Sequence, residues 1–342
     1  MTKNDEHEIL NADEIPCQEI SDPAVLSKTP LVSVKMITYN HEPYIAQAIE
    51  GVLMQVTDFP IELVIGEDCS TDRTREIVLE YQKKHHDIIR VVTSEHNVGM
   101  IKNSLRTNRS CRGKYIALCE GDDYWTDSLK LKKQVEFLER NKEYSVCFHY
   151  VDTINDKGKV VGKHGTLKRN IYEQKDFFIS NKKQTHTCSS VFKKEYLPDH
   201  MPSWFNEIYA GDKFFKVMLT ETHKAFVIKN TMAYYRIHDG GAWSSMNVDA
   251  AKLKTENDLK WMIKIYGHKY PSLVPYIQDK HEYESIAYYI AHKKRIKAWK
   301  CFFKMFKYPH YVANNPKLAL KKIIKLLVGN LKCNFPWSST GK

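Results

Sequence analysis

The sequence predicts an α/β protein, a mainly parallel sheet flanked by helices and followed by a helical C-terminal extension. Short apolar runs, Ile61–Ile65 and Tyr115–Cys119 among them, have the length and content of buried parallel strands. Segments with apolar residues at helical spacing separate the runs, and that alternation builds βαβ units with right-handed crossovers. Two of the runs end in carboxylates, Glu67-Asp68 and Glu120-Gly121-Asp122. A parallel strand presents such residues at the carboxyl edge of the sheet, where open α/β sheets bind ligands. Clustered carboxylates repel unless a cation joins them, and the simplest candidate is a divalent metal holding a nucleoside diphosphate.

Taken in order, residues 1–29 are acidic, contain Pro16 and Pro23, and show little periodicity, so a flexible tail is expected. Leu31–Ile37 reads as the first strand. Pro43 opens a helix at its tolerated first position, with Ile45, Ile49, Val52 and Leu53 toward the sheet. After the strand Ile61–Ile65, Thr71 or Asp72 can cap a helix that turns Ile77, Val78 and Tyr81 inward. Ile88–Val92 is the third strand, and a helix over 100–108 leads through Gly113 to the fourth, Tyr115–Cys119. A patterned helix runs from Leu129 to Arg140. Val146–Tyr150 reads as a strand, and Asp156–Lys159 as a hairpin turn. Beyond Asp249 the pattern is helical, with a pair marked by Ile286, Tyr289, Ile290, Ile296, Trp299 and Phe302. A last amphipathic helix starts at Asn315-Pro316 and carries Leu320, Ile323, Ile324, Leu327 and Leu331 on one side.

A chain of 342 residues can bury a substantial core, as one large or two modest domains. The expected division is 1–29, 30–248 and 249–342. The net charge of +11 is uneven. Residues 251–342 hold 19 Lys/Arg against 5 Asp/Glu, or +14, which leaves −3 for the rest. The eight cysteines are scattered and form no CxxC, which argues against a zinc knuckle or a thioredoxin-like motif. No signal peptide is visible and no apolar stretch approaches the roughly 20 residues of a membrane span. A cytoplasmic setting with free thiols is therefore expected. No GxGxxG follows the first strand and no GxxxxGK[ST] occurs, so a plain dinucleotide fold and a P-loop are excluded.

At the strand ends stand Thr38-Tyr39-Asn40, Glu67-Asp68, Ser94-Glu95 and Glu120-Gly121-Asp122-Asp123. Together with Val32–Asn40, Gly66–Asp72, Asn97-Val98-Gly99, Gly113–Ala117 and Glu120–Trp125, this series resembles the nucleotide-sugar half of family 2 glycosyltransferases with the GT-A fold. The likeness is close from Pro30 to about Leu138, looser to Ser245, and absent elsewhere. It implies that Thr38, Tyr39 and Asn40 bound the nucleotide site, with Thr38 and Tyr39 touching the nucleotide. Asp68 would accept from the base, and Glu67 would support that loop. Glu120-Gly121-Asp122 resembles the DXD motif. Asp122 would bind Mn²⁺ or Mg²⁺, and Glu120, one methylene longer than the usual Asp, would face the ribose or a water on the metal. Asp212, in Tyr209–Phe215, is the best match to the family's downstream base; an N-cap is its other reading. Tyr234–Ser244 resembles the basic segment over the diphosphate. There Arg236 offers paired donors to phosphate and His238 a metal-binding imidazole.

The resemblance implies an inverting transferase that takes a nucleotide-sugar donor, UDP-linked by preference, to a glycan or lipid-linked hydroxyl acceptor. Its setting would be cell-surface polysaccharide or glycolipid synthesis. A sugar-nucleotide pyrophosphorylase is an alternative, but it needs a glycine-rich loop after the first strand, and Val34–His41 has no glycine. A nucleic-acid binding module is the other alternative. The basic residues lie on the C-terminal helices rather than at the acidic edge, so no nucleic acid is expected at that edge. Lys-rich helices with Trp, Phe and Leu suit an anionic membrane surface, which places the chain peripherally on the inner membrane face. A soluble helical cap with a solvated basic face is the plainer reading.

Overall fold

The computed structural model describes residues 14–163, 169–179, 185–198, 200–291 and 294–305. It divides into two compact units, Met1–Phe177 with Asn181–Gly241, and Phe178–Ser180 with Ala242–Lys342. The division falls a few residues before the expected boundary at 248.

In the first unit the elements are β1 (Gln18–Ile20), β2 (Val32–Thr38), α1 (Ile45–Leu53), β3 (Ile61–Glu67), α2 (Thr74–Lys84), β4 (Ile89–Thr93), α3 (Met100–Ser110), β5 (Tyr115–Leu118), β6 (Tyr124–Trp125) and α4 (Lys130–Arg140). There follow β7 (Tyr144–Asn155), β8 (Val160–Gly162), β9 (Ile171–Tyr172), α5 (Gln174–Ile179), β10 (Val191–Lys193), α6 (Gly211–Leu219) and β11 (Lys224–Ile237). The strands form one mixed sheet in the order β1-β4-β3-β2-β5-β10-β7-β11-β6. The four strands β4, β3, β2 and β5 are mutually parallel, and antiparallel β10 joins them to the parallel pair β7 and β11. This is the GT-A arrangement expected. Its core is continuous, from Val34, Met36 and Ile65 on the strands to Ile49 and Val52 on α1 and Leu131 and Leu138 on α4.

The strand order positions the site. From β2 the chain winds outward through β3 to β4, then returns to the other side of β2 as β5. The carboxyl ends of β2 and β5 therefore flank the switch point of the sheet, where ligands bind in open α/β folds. Beyond the formal end of β5, Cys119 N–H still donates to the Lys35 carbonyl at 3.1 Å and Gly121 N–H to the Ile37 carbonyl at 3.0 Å. Residues 120–122 are thus zipped against Thr38.

Two expectations are corrected. The flexible tail does not cover the described part of 1–29. There β1 pairs antiparallel with β4, Glu19 pairs with Arg90 at 2.7 Å, and Ile15 and Leu26 are buried. A three-residue strand is too short to show a period, and its register comes from the edge it joins. Pro43 does not open α1 either. The His41 carbonyl first accepts from Tyr44 and Ile45, both at 2.9 Å, in a turn that delays the helix to Ile45.

Lys130 is fully buried over the Trp125 ring, Nζ 3.9 Å from the centroid, and Nζ has no hydrogen-bond partner. Burial lowers its pKa from 10.5 to about 7. Between those values the unfolded chain binds the extra proton, so this group makes stability rise with pH across the window. Lys130→Met should stabilise the fold at pH 7 by on the order of a few kcal/mol and flatten that slope. Urea unfolding at pH 7 and pH 9.5 measures both; equal destabilisation at the two values would show that the ammonium contributes net attraction through Trp125.

The second unit is helical, with α7 (Val248–Tyr266), α8 (Val274–Ala291) and α9 (Arg295–Met305). Asn247 caps α7, its side-chain oxygen accepting from Ala250 N–H at 2.9 Å. The expected helical pair is α8 with α9, packed through Tyr283, Ile286, Tyr289, Ala298 and Cys301. Ile296, expected inside, is 76% exposed. Among the described residues no helix is long and apolar enough to cross a membrane. The amphipathic helix expected from Asn315 lies outside the described residues.

Candidate active site

Three chain segments meet at the switch point: the turn after β2, the turn after β5, and the end of β11. The third arrives because β11 pairs antiparallel with β6, Tyr234 opposite Tyr124 and Ala233 opposite Trp125. Continuing that register sets 235–236 beside 122–123 and brings 238 to the level of 120. Arg236 N–H donates to Asp123 Oδ1 at 2.9 Å and its Nε to the Asp122 carbonyl at 3.0 Å.

Asp122 is the centre of the cluster. His238 Nε2 lies 3.1 Å from Asp122 Oδ2, and His41 Nε2 lies 3.8 Å from the same oxygen. Burial works to raise the Asp122 pKa, but His41 and the His238 hydrogen bond outweigh it and hold the carboxyl below its usual value. Glu120 behaves oppositely. Burial, then the charge of Asp122, pushes it up to about 8, with Asp212 adding to the rise. Glu120 Oε2 and Thr38 Oγ1 are buried without hydrogen-bond partners. Two orphaned oxygens beside a carboxylate and two imidazoles fit a divalent cation and the hydroxyls of a bound ligand. Gly121 allows this closeness: a Cβ there would stand 2.6 Å from Thr38 Oγ1 and 3.0 Å from His41 Nδ1.

Other expected residues hold the loops. Glu67 is fully buried and accepts from Ser70 N–H at 2.7 Å, with Arg75 at 3.3 Å. Asp68, 2% exposed, accepts from Val98 N–H and Gly99 N–H, both at 2.9 Å, and from Arg106 at 3.2 Å. Its carboxylate is therefore committed to loop 97–99, which departs from the expected base contact. Arg236 is 6% exposed; besides Asp122 it binds Gln47 Oε1 at 2.7 Å and stacks on Tyr44 at 4.6 Å. Its Nε is used by the turn after β5 and its Nη2 by Gln47 of α1, so part of the expected phosphate fork braces the protein instead. Tyr39, in contrast, is 42% exposed. Asn40 adopts φ 54, and its side chain accepts from Thr71 N–H at 2.8 Å. Asn tolerates this left-handed backbone.

Asp212 sits in the first turn of α6 rather than at its cap, which is Ala210. Its Oδ2 is 2.7 Å from Lys216 Nζ. Burial opposes ionisation, but Lys216 and the Lys213 backbone hold the pKa below normal.

Two further residues at the site, His41 and Asp123, had no role assigned from the sequence. Asp123, 2% exposed, is driven well up by burial and by Asp122 and Glu120, while accepting from Arg236 N–H. His41 directly follows the quoted Thr38-Tyr39-Asn40, but no spacing rule links it to a residue 197 positions later; only the topology does.

A parallel-centred sheet with a carboxylate–imidazole cluster at its switch point defines an α/β protein of the GT-A fold. Residues 33–199 match the Glycosyl transferase family 2 model, and this stretch of the chain belongs to that family. It is 35% identical over 221 residues to an uncharacterized protein of Mycobacterium tuberculosis, covering 65% of this chain and 63% of that one. The match thus spans less than two thirds of that relative's length. The Bacillus subtilis protein TuaG, whose name assigns it to teichuronic acid biosynthesis, is 38% identical over 117 residues, 34% of this chain and 45% of TuaG. Among solved structures, the mannosyltransferase PcManGT of Pyrobaculum calidifontis, in complex with GDP-Man and Mn²⁺, superposes with a TM-score of 0.53. The identity is 15%, and the match covers 93% of this chain and 88% of PcManGT.

Proposed function

We propose that this chain is an inverting, metal-dependent glycosyltransferase moving a sugar from a nucleotide-diphosphate sugar to a hydroxyl acceptor. The observation that carries the reading is the convergence of Asp122 and His238 at the switch point, with Glu120 two residues before Asp122 on the same turn. Asp122 and His238 hold Mn²⁺ or Mg²⁺, which supplies positive charge against the departing diphosphate. Thr38 and the exposed Tyr39 contact the nucleotide, and Glu120 faces the ribose. Asn40, Glu67 and Asp68 brace the two turns, and Arg236 locks the β5 turn under the phosphates. Asp212 takes the acceptor proton as its oxygen attacks the anomeric carbon in line.

UDP is the preferred nucleotide by family resemblance, with GDP the competitor, since PcManGT carries GDP-Man. The name of TuaG supports cell-surface polysaccharide synthesis as the setting, with glycan or lipid-linked acceptors. Thermal-shift measurements against UDP-, GDP-, CMP- and dTDP-sugars, with and without Mn²⁺, test the reading. Saturation at about 100 times Kd stabilises by about 2.7 kcal/mol. A Mn²⁺-dependent rise with a UDP-sugar is expected. A rise with GDP-sugars alone would reassign the base, and no rise with any donor would overturn the proposal.

The +14 charge of 251–342 supports peripheral attachment at the inner face of a membrane, where lipid-linked acceptors are presented. Each Lys near an anionic surface contributes about 1 kcal/mol, screened by salt. The full chain should sediment with anionic but not neutral liposomes, and a chain cut before Asn315 should not. Equal recovery of both chains in the supernatant would leave the basic helices an ordinary solvated surface.

A further inference from the structure

We propose that His41 is a third protein ligand of the cation, making the site a two-histidine, one-carboxylate centre that selects transition ions over Mg²⁺. The inference rests on the reading that Asp122 and His238 hold the metal. One ring nitrogen each of His41 and His238 and an Asp122 oxygen all lie within 4.8 Å of one another. The two rings meet edge to face, with centroids 5.9 Å apart. At 3.8 Å from Asp122 Oδ2, His41 Nε2 is too far for a hydrogen bond. Two ligands each about 2.1 Å from one shared ion stand about 3–3.5 Å apart. The His238–Asp122 spacing of 3.1 Å already lies in that range, and the His41–Asp122 spacing of 3.8 Å is close to it.

His41 is held in place by its surroundings. Asn40 turns the chain with φ 54, and Asn40 N–H donates to Ser70 Oγ at 3.0 Å. His41 N–H donates to Thr74 Oγ1 at 2.8 Å, and Glu42 N–H to Asp72 Oδ2 at 3.1 Å. The turns after β2 and β3 are therefore interlaced on both sides of His41. Its ring nitrogens serve no structural bond: Nδ1 is buried without a partner, and Nε2 faces Asp122. A ring fixed by its backbone with an uncommitted Nε2 aimed at a carboxylate and a second imidazole is a preorganised ligand.

The donor set decides the ion. Mg²⁺ takes oxygen ligands in near-ideal octahedral geometry, whereas imidazole nitrogen suits transition ions. With two imidazoles, the chain should bind Co²⁺ well above Mg²⁺ before any nucleotide is present. The test is calorimetric titration of the full chain with CoCl₂ and with MgCl₂, for wild type, His41→Ala, His41→Asn and Asp122→Ala, each checked by thermal melting. His41→Ala and His41→Asn should lose about 10- to 100-fold in Co²⁺ affinity, the range typical of perturbed metal shells, and keep their Mg²⁺ affinity. If both bind Co²⁺ as wild type does while Asp122→Ala does not, His41 is no ligand and the two-residue site stands. If Asp122→Ala also binds Co²⁺ unchanged, the metal reading falls together with the third ligand.

Discussion

Asp122→Ala is expected to remove metal-dependent donor binding and to lower transfer by at least about 10²-fold, the scale seen when one charge-stabilising group is deleted. Excess EDTA should do the same to the wild type. The variant should fold. The charge of Asp122 helps raise the pKa values of both Glu120 and Asp123, so its removal relieves repulsion in the buried turn. The backbone contacts holding the turn, Gly121 N–H to Ile37 and Arg236 Nε to the carbonyl of residue 122, do not involve the carboxylate. A melting temperature at or above wild type together with lost donor binding is the expected pair. Full turnover in excess EDTA would sink the metal assignment.

Asp212→Asn should depress kcat by about 10²–10⁴, the usual cost of removing a general base, while donor affinity stays near wild type. The pairing with Lys216 adds a second signature. Lys216 lies 2.7 Å from the carboxylate and helps hold its pKa down. Lys216→Gln should therefore move the acidic limb of the kcat–pH profile to higher pH, because the base then needs a higher pH to ionise. Neither effect follows if Asp212 only stabilises the first turn of α6. Wild-type kcat in Asp212→Asn would put the base elsewhere, and an unmoved acidic limb in Lys216→Gln would separate the ion pair from catalysis.

The sequence by itself determined the alternation of strand and helix, since β2, β3, β4 and β5 are short apolar runs whose burial on both faces is written in their composition. It also determined which residues stand at the carboxyl edge. Thr38, Glu67, Asp68, Glu120 and Asp122 each follow such a run directly, and local order survives folding. Tertiary structure alone decided what those residues do. Glu67 braces its loop as expected, through Ser70 and Arg75, whereas Asp68 looks like a ligand in the sequence, yet Arg106 and the 97–99 backbone claim it from up to 38 positions away. Part of the Arg236 guanidinium is turned into a brace by Gln47 and the residue 122 carbonyl. The register of β1 depends on an edge that no three-residue segment can announce. His41 and His238 carry no periodic signal; they meet at Asp122 because β2, β5 and β11 end on one side of one sheet. Spacing along the chain reports neighbours on one strand or one helix turn, whereas a cluster assembled from three strand ends exists only once their order in the sheet is set.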